Sequence, residues 1–108
     1  MKLKYLVLFC SVFFSFAAAN EKNVDCLILE DENSIICKYS HERISEDKNI
    51  TLKWIEPDGT VTRERNMKIP AYHGSIYDYR YIKGRTKGVW TFKVIDNENE
   101  YTTEFTIN

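Results

Sequence analysis

An all-β fold is what this sequence predicts, and three observations predict it. The run Gly88-Val89-Trp90-Thr91-Phe92-Lys93-Val94-Ile95-Asp96 alternates strictly, with Trp90, Phe92 and Val94 on one face and Val89, Thr91, Lys93 and Ile95 on the other. β-Branched and aromatic residues at period two favour a pleated, half-buried strand. Similar short runs recur at about 8–12-residue spacing, separated by Gly, Pro, Asn and Asp. No stretch carries the 3.6-residue apolar period of a long amphipathic helix. Together these features give a small antiparallel immunoglobulin-like β-sandwich of about seven strands. A small closed barrel satisfies the same strands and is the alternative.

The first nineteen residues fall outside this scheme. Lys2 and Lys4 precede the almost wholly apolar residues 6–16, and Ala17, Ala18 and Ala19 follow. That order is the layout of a secretory signal peptide, with cleavage expected after Ala19. The apolar run is shorter than the roughly 20 residues a membrane span needs, so membrane contact is expected only through the cleaved signal. Cys10 sits inside the apolar run rather than after its small residues, which argues against lipid attachment. Residues 20–108 are then a single exported domain, with the periplasm as the expected location. Loss of Lys2 and Lys4 leaves 13 basic against 16 acidic residues, a net charge near −3. Such a balance offers no general attraction to nucleic acid.

The elements follow in chain order. Cys26 and Cys37 are an even pair in an exported chain and predict one disulfide. A hairpin turning at residues 30–33 sets Cys26 opposite Cys37, with Val24 and Ile28 facing Tyr39 and Ile35. Ten intervening residues do not fit the Cys-x-x-Cys spacing of a redox pair. Residues 41–47 are polar and read as a connecting loop. Ile50, Leu52 and Trp54 then alternate with Thr51, Lys53 and Ile55, and Pro57-Asp58-Gly59-Thr60 supplies a turn. Residues 61–69 carry Arg63, Glu64, Arg65 and Lys68, a charge load that suits an edge strand. Pro70 ends its ladder.

In the next strand Tyr77, Tyr79 and Tyr81 share one face, and Ile76, Arg80 and Ile82 share the other. Asp78 and Arg80 on the second face predict that the tyrosines point inward, packing in the core or as cross-strand pairs. After the Gly88–Asp96 strand, residues 96–100 turn the chain again. Tyr101, Thr103, Phe105 and Ile107 then share one face of the last strand.

Trp54-Ile55-Glu56-Pro57-Asp58-Gly59, Lys83-Gly84-Arg85, Gly88-Val89-Trp90, Val94-Ile95-Asp96 and Phe105-Thr106-Ile107 form a pattern. It resembles that of uncharacterised bacterial exported immunoglobulin-like domains, which read Trp…Asp-Gly…Gly-x-Trp-x-x-x-Val-x-Asp…Phe-x-Val. The resemblance covers about residues 50–107 and implies a periplasmic β-sandwich. It brings no catalytic residues with it.

Chemistry-bearing constellations are sparse. His41 and His73 lie in different loops, and with both mature cysteines paired no thiol remains to complete a zinc site. Neither a Gly-x-Ser-x-Gly elbow nor a phosphate loop occurs. No catalytic set, metal or cofactor is therefore expected. Aromatic residues make up 14% of the chain, and the tyrosines concentrate between Tyr72 and Tyr81. If exposed, Tyr77, Tyr79 and Tyr81 offer a surface for a partner's side chains or for sugars. Arg80, Lys83, Arg85 and Lys87 place four positive charges around one turn, suited to an acidic partner or an anionic glycan. Asp47-Lys48-Asn49-Ile50-Thr51 contains the Asn-x-Thr acceptor and resembles its extended bacterial form, which makes Asn49 a candidate glycosylation site. The sequence thus points to a non-enzymatic protein that acts through protein contacts, accessory to an envelope protein or complex; the alternative is a glycan-binding module or an inhibitor of a cell-wall-degrading enzyme.

Overall fold

The computed structural model describes residues 23–108, and these build two antiparallel sheets packed face to face. In chain order the strands are β1 (Asn23–Leu29), β2 (Ser34–Ser40), β3 (Lys48–Ile55), β4 (Val61–Ile69), β5 (Ser75–Tyr81), β6 (Gly88–Asp96) and β7 (Asn99–Ile107). One sheet has the order β1-β2-β5 and the other β4-β3-β6-β7. This is a seven-stranded immunoglobulin-like sandwich, not a closed barrel. The expected signal segment, residues 1–19, lies outside the described residues.

The amino-terminal hairpin forms in the expected register. Val24 lies opposite Tyr39, Cys26 opposite Cys37 and Ile28 opposite Ile35. Glu30–Glu32 make a 3-10 turn, and Asn33 closes it at φ 55°, a left-handed conformation that asparagine tolerates. The Cys26–Cys37 disulfide joins directly opposed residues with Cα atoms 4.1 Å apart. Both cysteines belong to one sheet, so the bond staples a hairpin and not the two layers. Closing this short loop contributes about 2–3 kcal/mol by restricting the unfolded chain.

The core follows from alternation. Ile35, Cys37 and Tyr39 from β2 meet Ile50, Leu52 and Trp54 from β3, with Trp90, Phe92 and Val94 from β6 and Phe105 and Ile107 from β7. The Trp54 ring meets Phe92 edge-on at 5.3 Å and Phe105 at 5.8 Å, while Trp90 stacks on Phe105 at 6.0 Å. Perpendicular and offset arrangements suit the ring quadrupoles. Trp90 also anchors the entry to β6, because its Nε1 donates to the Thr86 carbonyl at 2.7 Å. That bond stands where a tyrosine corner stands in many immunoglobulin-like domains.

Gly88 opens β6 at φ +127°, and a Cβ there would sit 2.9 Å from Pro57 Cγ. Glycine is required on both counts. The closing hairpin is tighter than the residue 96–100 turn read from sequence: Asp96 pairs with Asn99, leaving Asn97 and Glu98 to turn, with Asn97 at φ 58°.

Each sheet ends on one flank in a charged strand. β4 is an edge strand, as its charges predict. A bulge at Thr62 breaks its register against Trp54 and Ile55. Beyond the bulge, Arg63, Arg65, Met67 and Ile69 lie opposite Trp54, Leu52, Ile50 and Lys48. Two arginines of this edge therefore share the inner face with the core residues of β3. Inward-pointing charge is one device by which sheets protect an open edge.

Candidate binding site

The tyrosine row faces solvent. Tyr77, Tyr79 and Tyr81 are 58%, 56% and 57% exposed, whereas Asp78 and Arg80 between them are only 4% and 8% exposed. The inward placement expected from sequence is therefore corrected, and the physical reason lies across the interface. Asp78 Oδ2 accepts from the buried indole Nε1 of Trp54 at 2.8 Å. Its Oδ1 accepts from Arg65 at 2.8 Å and from Arg63 at 3.2 Å. A buried carboxylate so fully partnered costs far less than a bare one. Arg80 lays its guanidinium over the Trp54 ring, 5.5 Å from the centroid, and donates Nη1 to Thr62 Oγ1 at 3.0 Å. Alternation along β5 was legible, but its polar face is the inner one.

The row continues across the whole outer surface of the three-stranded sheet. Tyr79 lies opposite Ile36, and Ile36 opposite Leu27, which is itself 59% exposed. Tyr77 lies opposite Lys38, whose ammonium sits 5.8 Å above the ring. Tyr79 and Tyr81 meet at 6.1 Å with ring planes 88° apart. The outer face of the four-stranded sheet differs in kind. Its central strands present Asn49, Thr51, Lys53 and Ile55 from β3, and Val89, Thr91, Lys93 and Ile95 from β6, of which Val89 is 48% exposed. One sheet thus turns apolar and aromatic side chains outward, and the other turns out mostly amides, hydroxyls and charges.

β5 is also a sheet edge, with backbone groups of its own. Cys26 and Cys37 approach as a non-hydrogen-bonded pair, so Cys37 bonds on its other side to Asp78. The carbonyls of Tyr77, Tyr79 and Tyr81 then point out of the sheet. Arg63 donates to the Tyr79 carbonyl at 3.2 Å, and Arg85 Nε to the Tyr81 carbonyl at 3.1 Å. Guanidinium groups from β4 and from the β5–β6 turn thereby occupy acceptors that another strand would seek.

Between these two edges lies a cleft of about 320 Å³ lined by Arg63, Arg65, Asp78, Tyr79, Arg80, Tyr81 and Arg85. Four guanidinium groups surround a single carboxylate, which Arg63 and Arg65 share. Among the described residues, neither Arg80 nor Arg85 has an ion-pair partner, and Arg80 Nε has no hydrogen-bond acceptor. Burial first, then the Arg85 and Arg63 charges, hold the Arg80 guanidinium below its ordinary value, while Asp78 and Glu56 pull the other way. Arg80 therefore belongs to this cleft and not to the tip of the basic turn. Lys83 and Lys87 remain at that tip in solvent, and Arg85 is half-buried.

The other singled-out residues lie elsewhere. His41 is buried and stacks on Tyr39 at 5.6 Å, while His73 is exposed in the loop before β5. Among the described residues, no three His, Cys, Asp or Glu side chains converge as a metal site. Asn49 is exposed within β3, opposite Lys68. Its acceptor partner Thr51 donates its hydroxyl to Asn66 Oδ1 at 2.9 Å.

Sequence reasoning missed Arg63 and Arg65 as parts of a site. The available signal was Trp54, because a buried indole N–H needs an acceptor and Asp78 is the acidic residue in the facing strand. Neither a protein-family model nor a curated protein matches this chain.

Proposed function

We propose that this is an exported, periplasmic, non-enzymatic β-sandwich that works through protein contacts, as an accessory to an envelope protein or complex. The observation carrying this reading is the asymmetry of the two outer faces. Tyrosine rings and aliphatic side chains occupy solvent on β1, β2 and β5, where burial against a partner regains the hydrophobic free energy their exposure forgoes. Tyrosine is suited to such a face, since its ring buries area while its hydroxyl keeps a hydrogen bond. Asn49 lies on the polar sheet, so a glycan there would leave the tyrosine face open.

Glycan binding is the second reading, and the exposure of the tyrosine row favours it. Sugar stacking, however, uses rings that lie flat side by side, and the perpendicular Tyr79 and Tyr81 offer one face and one edge. The protein reading accommodates that geometry directly.

The test is a triple Tyr77→Ser, Tyr79→Ser, Tyr81→Ser variant. These side chains point into solvent, so thermal stability should change little. In-cell crosslinking followed by mass spectrometry should recover a defined envelope protein with the wild type and lose it with the variant. An identical crosslink pattern for both would remove this face from consideration. Tryptophan and tyrosine fluorescence that is quenched by peptidoglycan fragments, with no protein crosslink, would transfer the function to glycan binding.

A further inference from the structure

The arginine cleft is more cationic than the fold requires. Asp78 is needed as the acceptor for Trp54, and one guanidinium suffices to neutralise it. Arg63 and Arg65 both pair with it, yet Arg80 and Arg85 add two further positive charges with no direct ion pair among the described residues, Glu56 acting on Arg80 only at longer range. Crowding like charges in a cleft walled by tyrosine rings is unfavourable unless an anion relieves it. Among its described contacts the Arg85 side chain donates only Nε, to the Tyr81 carbonyl, so the remaining donors of its planar fork are unassigned. A guanidinium presents donors in a fixed plane that matches a carboxylate bidentately. The hollow between the β1–β2 turn and β7 is lined instead by Glu30, Asp31 and Glu32, so the favourable field for an anion lies at the arginine end.

We propose that the cleft between β4 and β5 is a carboxylate-binding site that receives an acidic side chain from a protein partner lying along the tyrosine row. This rests on the protein-contact reading and adds the chemistry of the partner: an acidic segment whose apolar neighbours cover Tyr79 and Tyr81. The cleft opens directly beside those two rings, both of which line it. A carboxylate entering there pairs with Arg85 and Arg80 while Asp78 keeps its bonds to Trp54, Arg63 and Arg65.

The experiment follows the arginine Nε–H signals of the full domain by NMR during titration with an end-blocked glutamate-rich peptide. A glutamine-for-glutamate peptide and an oligogalacturonate of matched charge serve as comparisons. The glutamate peptide should shift the Arg85 and Arg80 signals, and the glutamine peptide should not. Arg85→Gln should weaken the glutamate peptide about tenfold, the order expected for one charged hydrogen-bonding partner. Arg85 is half-buried in a turn, so this variant should fold; Lys87→Gln, at the exposed tip, should bind as the wild type does.

Arginine signals that stay still with the glutamate peptide overturn the proposal. So does equal binding by Arg85→Gln, or tighter binding of oligogalacturonate than of peptide through the same signals. Failure here is distinguishable from failure of the broader reading. The tyrosine-to-serine variant tests the face by crosslinking, whatever the cleft binds.

Discussion

Replacing Asp78 tests whether the buried polar network supports the sandwich or merely decorates its flank. Asp78 is 4% exposed and holds Trp54 Nε1 at 2.8 Å, so Asp78→Ala leaves an indole N–H buried without an acceptor. A hydrogen bond to a charged group contributes about 1.5–3 kcal/mol. The two ion pairs contribute less, because the Arg63 and Arg65 side chains are 35% and 48% exposed and turn to water once released. Screened pairs of that kind are worth at most about 1 kcal/mol each. Asp78→Ala should therefore cost about 2–4 kcal/mol. For a domain of this size that lowers the melting temperature by roughly 10–25 °C.

Asp78→Asn separates the parts, since its amide oxygen still accepts from Trp54 while the charge is gone. Neutral hydrogen bonds are about half as strong as charge-assisted ones, so this variant should lose about 1–2 kcal/mol. Urea unfolding followed by tryptophan fluorescence gives both values, and Trp54→Phe completes a double-mutant cycle with Asp78→Ala. Coupling near zero between Trp54 and Asp78 would refute the argument. So would an Asp78→Asn loss equal to that of Asp78→Ala, because the acceptor would then be irrelevant.

Four other consequences are open to measurement. Burial, then the hydrogen bond to Asp96 at 2.7 Å, raises the Tyr39 hydroxyl well above its ordinary value near 10. A raised value favours the protonated form in the folded state, so this stabilisation is intact below about pH 10 and is lost as the pH climbs beyond it. The urea midpoint should fall above pH 10 in the wild type and fall less steeply in Tyr39→Phe; parallel curves would contradict this. Gly88→Ala must accept both a positive φ and a 2.9 Å approach to Pro57, and should lose about 1–3 kcal/mol. Gly59→Ala, also at positive φ but with open space around it, should lose about 1 kcal/mol by the same denaturation assay. Removing the disulfide with Cys26→Ala and Cys37→Ala together should lower stability by about 2–3 kcal/mol, and an unchanged midpoint would refute the loop-closure account.

The strands, the hairpin register and the edge position of β4 were legible in the sequence because each is written locally. Alternation fixes strands, turn residues bound them, and the Cys26–Cys37 spacing fixes one pairing. The face of β5 was not legible in that way. Both of its faces alternate equally well, and a count of charges assigns Asp78 and Arg80 to solvent. What reverses the assignment is Trp54, twenty-four residues earlier, together with Arg63 and Arg65 on a strand of the other sheet. Each of those residues reads alone as ordinary core or ordinary edge charge. Only the bulge at Thr62 and the flank-to-flank placement of β4 and β5 bring them to one carboxylate, and neither is encoded in β5 itself.

That placement also works against strand addition beside the exposed tyrosines. A long, flat, apolar edge strand invites pairing with another chain through its free carbonyls. Here the tyrosine faces are available, but the Tyr79 and Tyr81 carbonyls are held by Arg63 and Arg85. A partner can therefore bury the rings from above the sheet more readily than it can add a strand beside them. The guanidinium groups that block strand addition are the same ones that line the cleft, so protection of the edge and attraction for an acidic side chain arise from one set of residues. Weakening that set by Arg63→Gln with Arg85→Gln should accordingly raise self-association, measured by sedimentation, at the same time as it lowers affinity for the glutamate peptide. A variant that lost peptide binding yet sedimented as the wild type does would show that the two roles are separable.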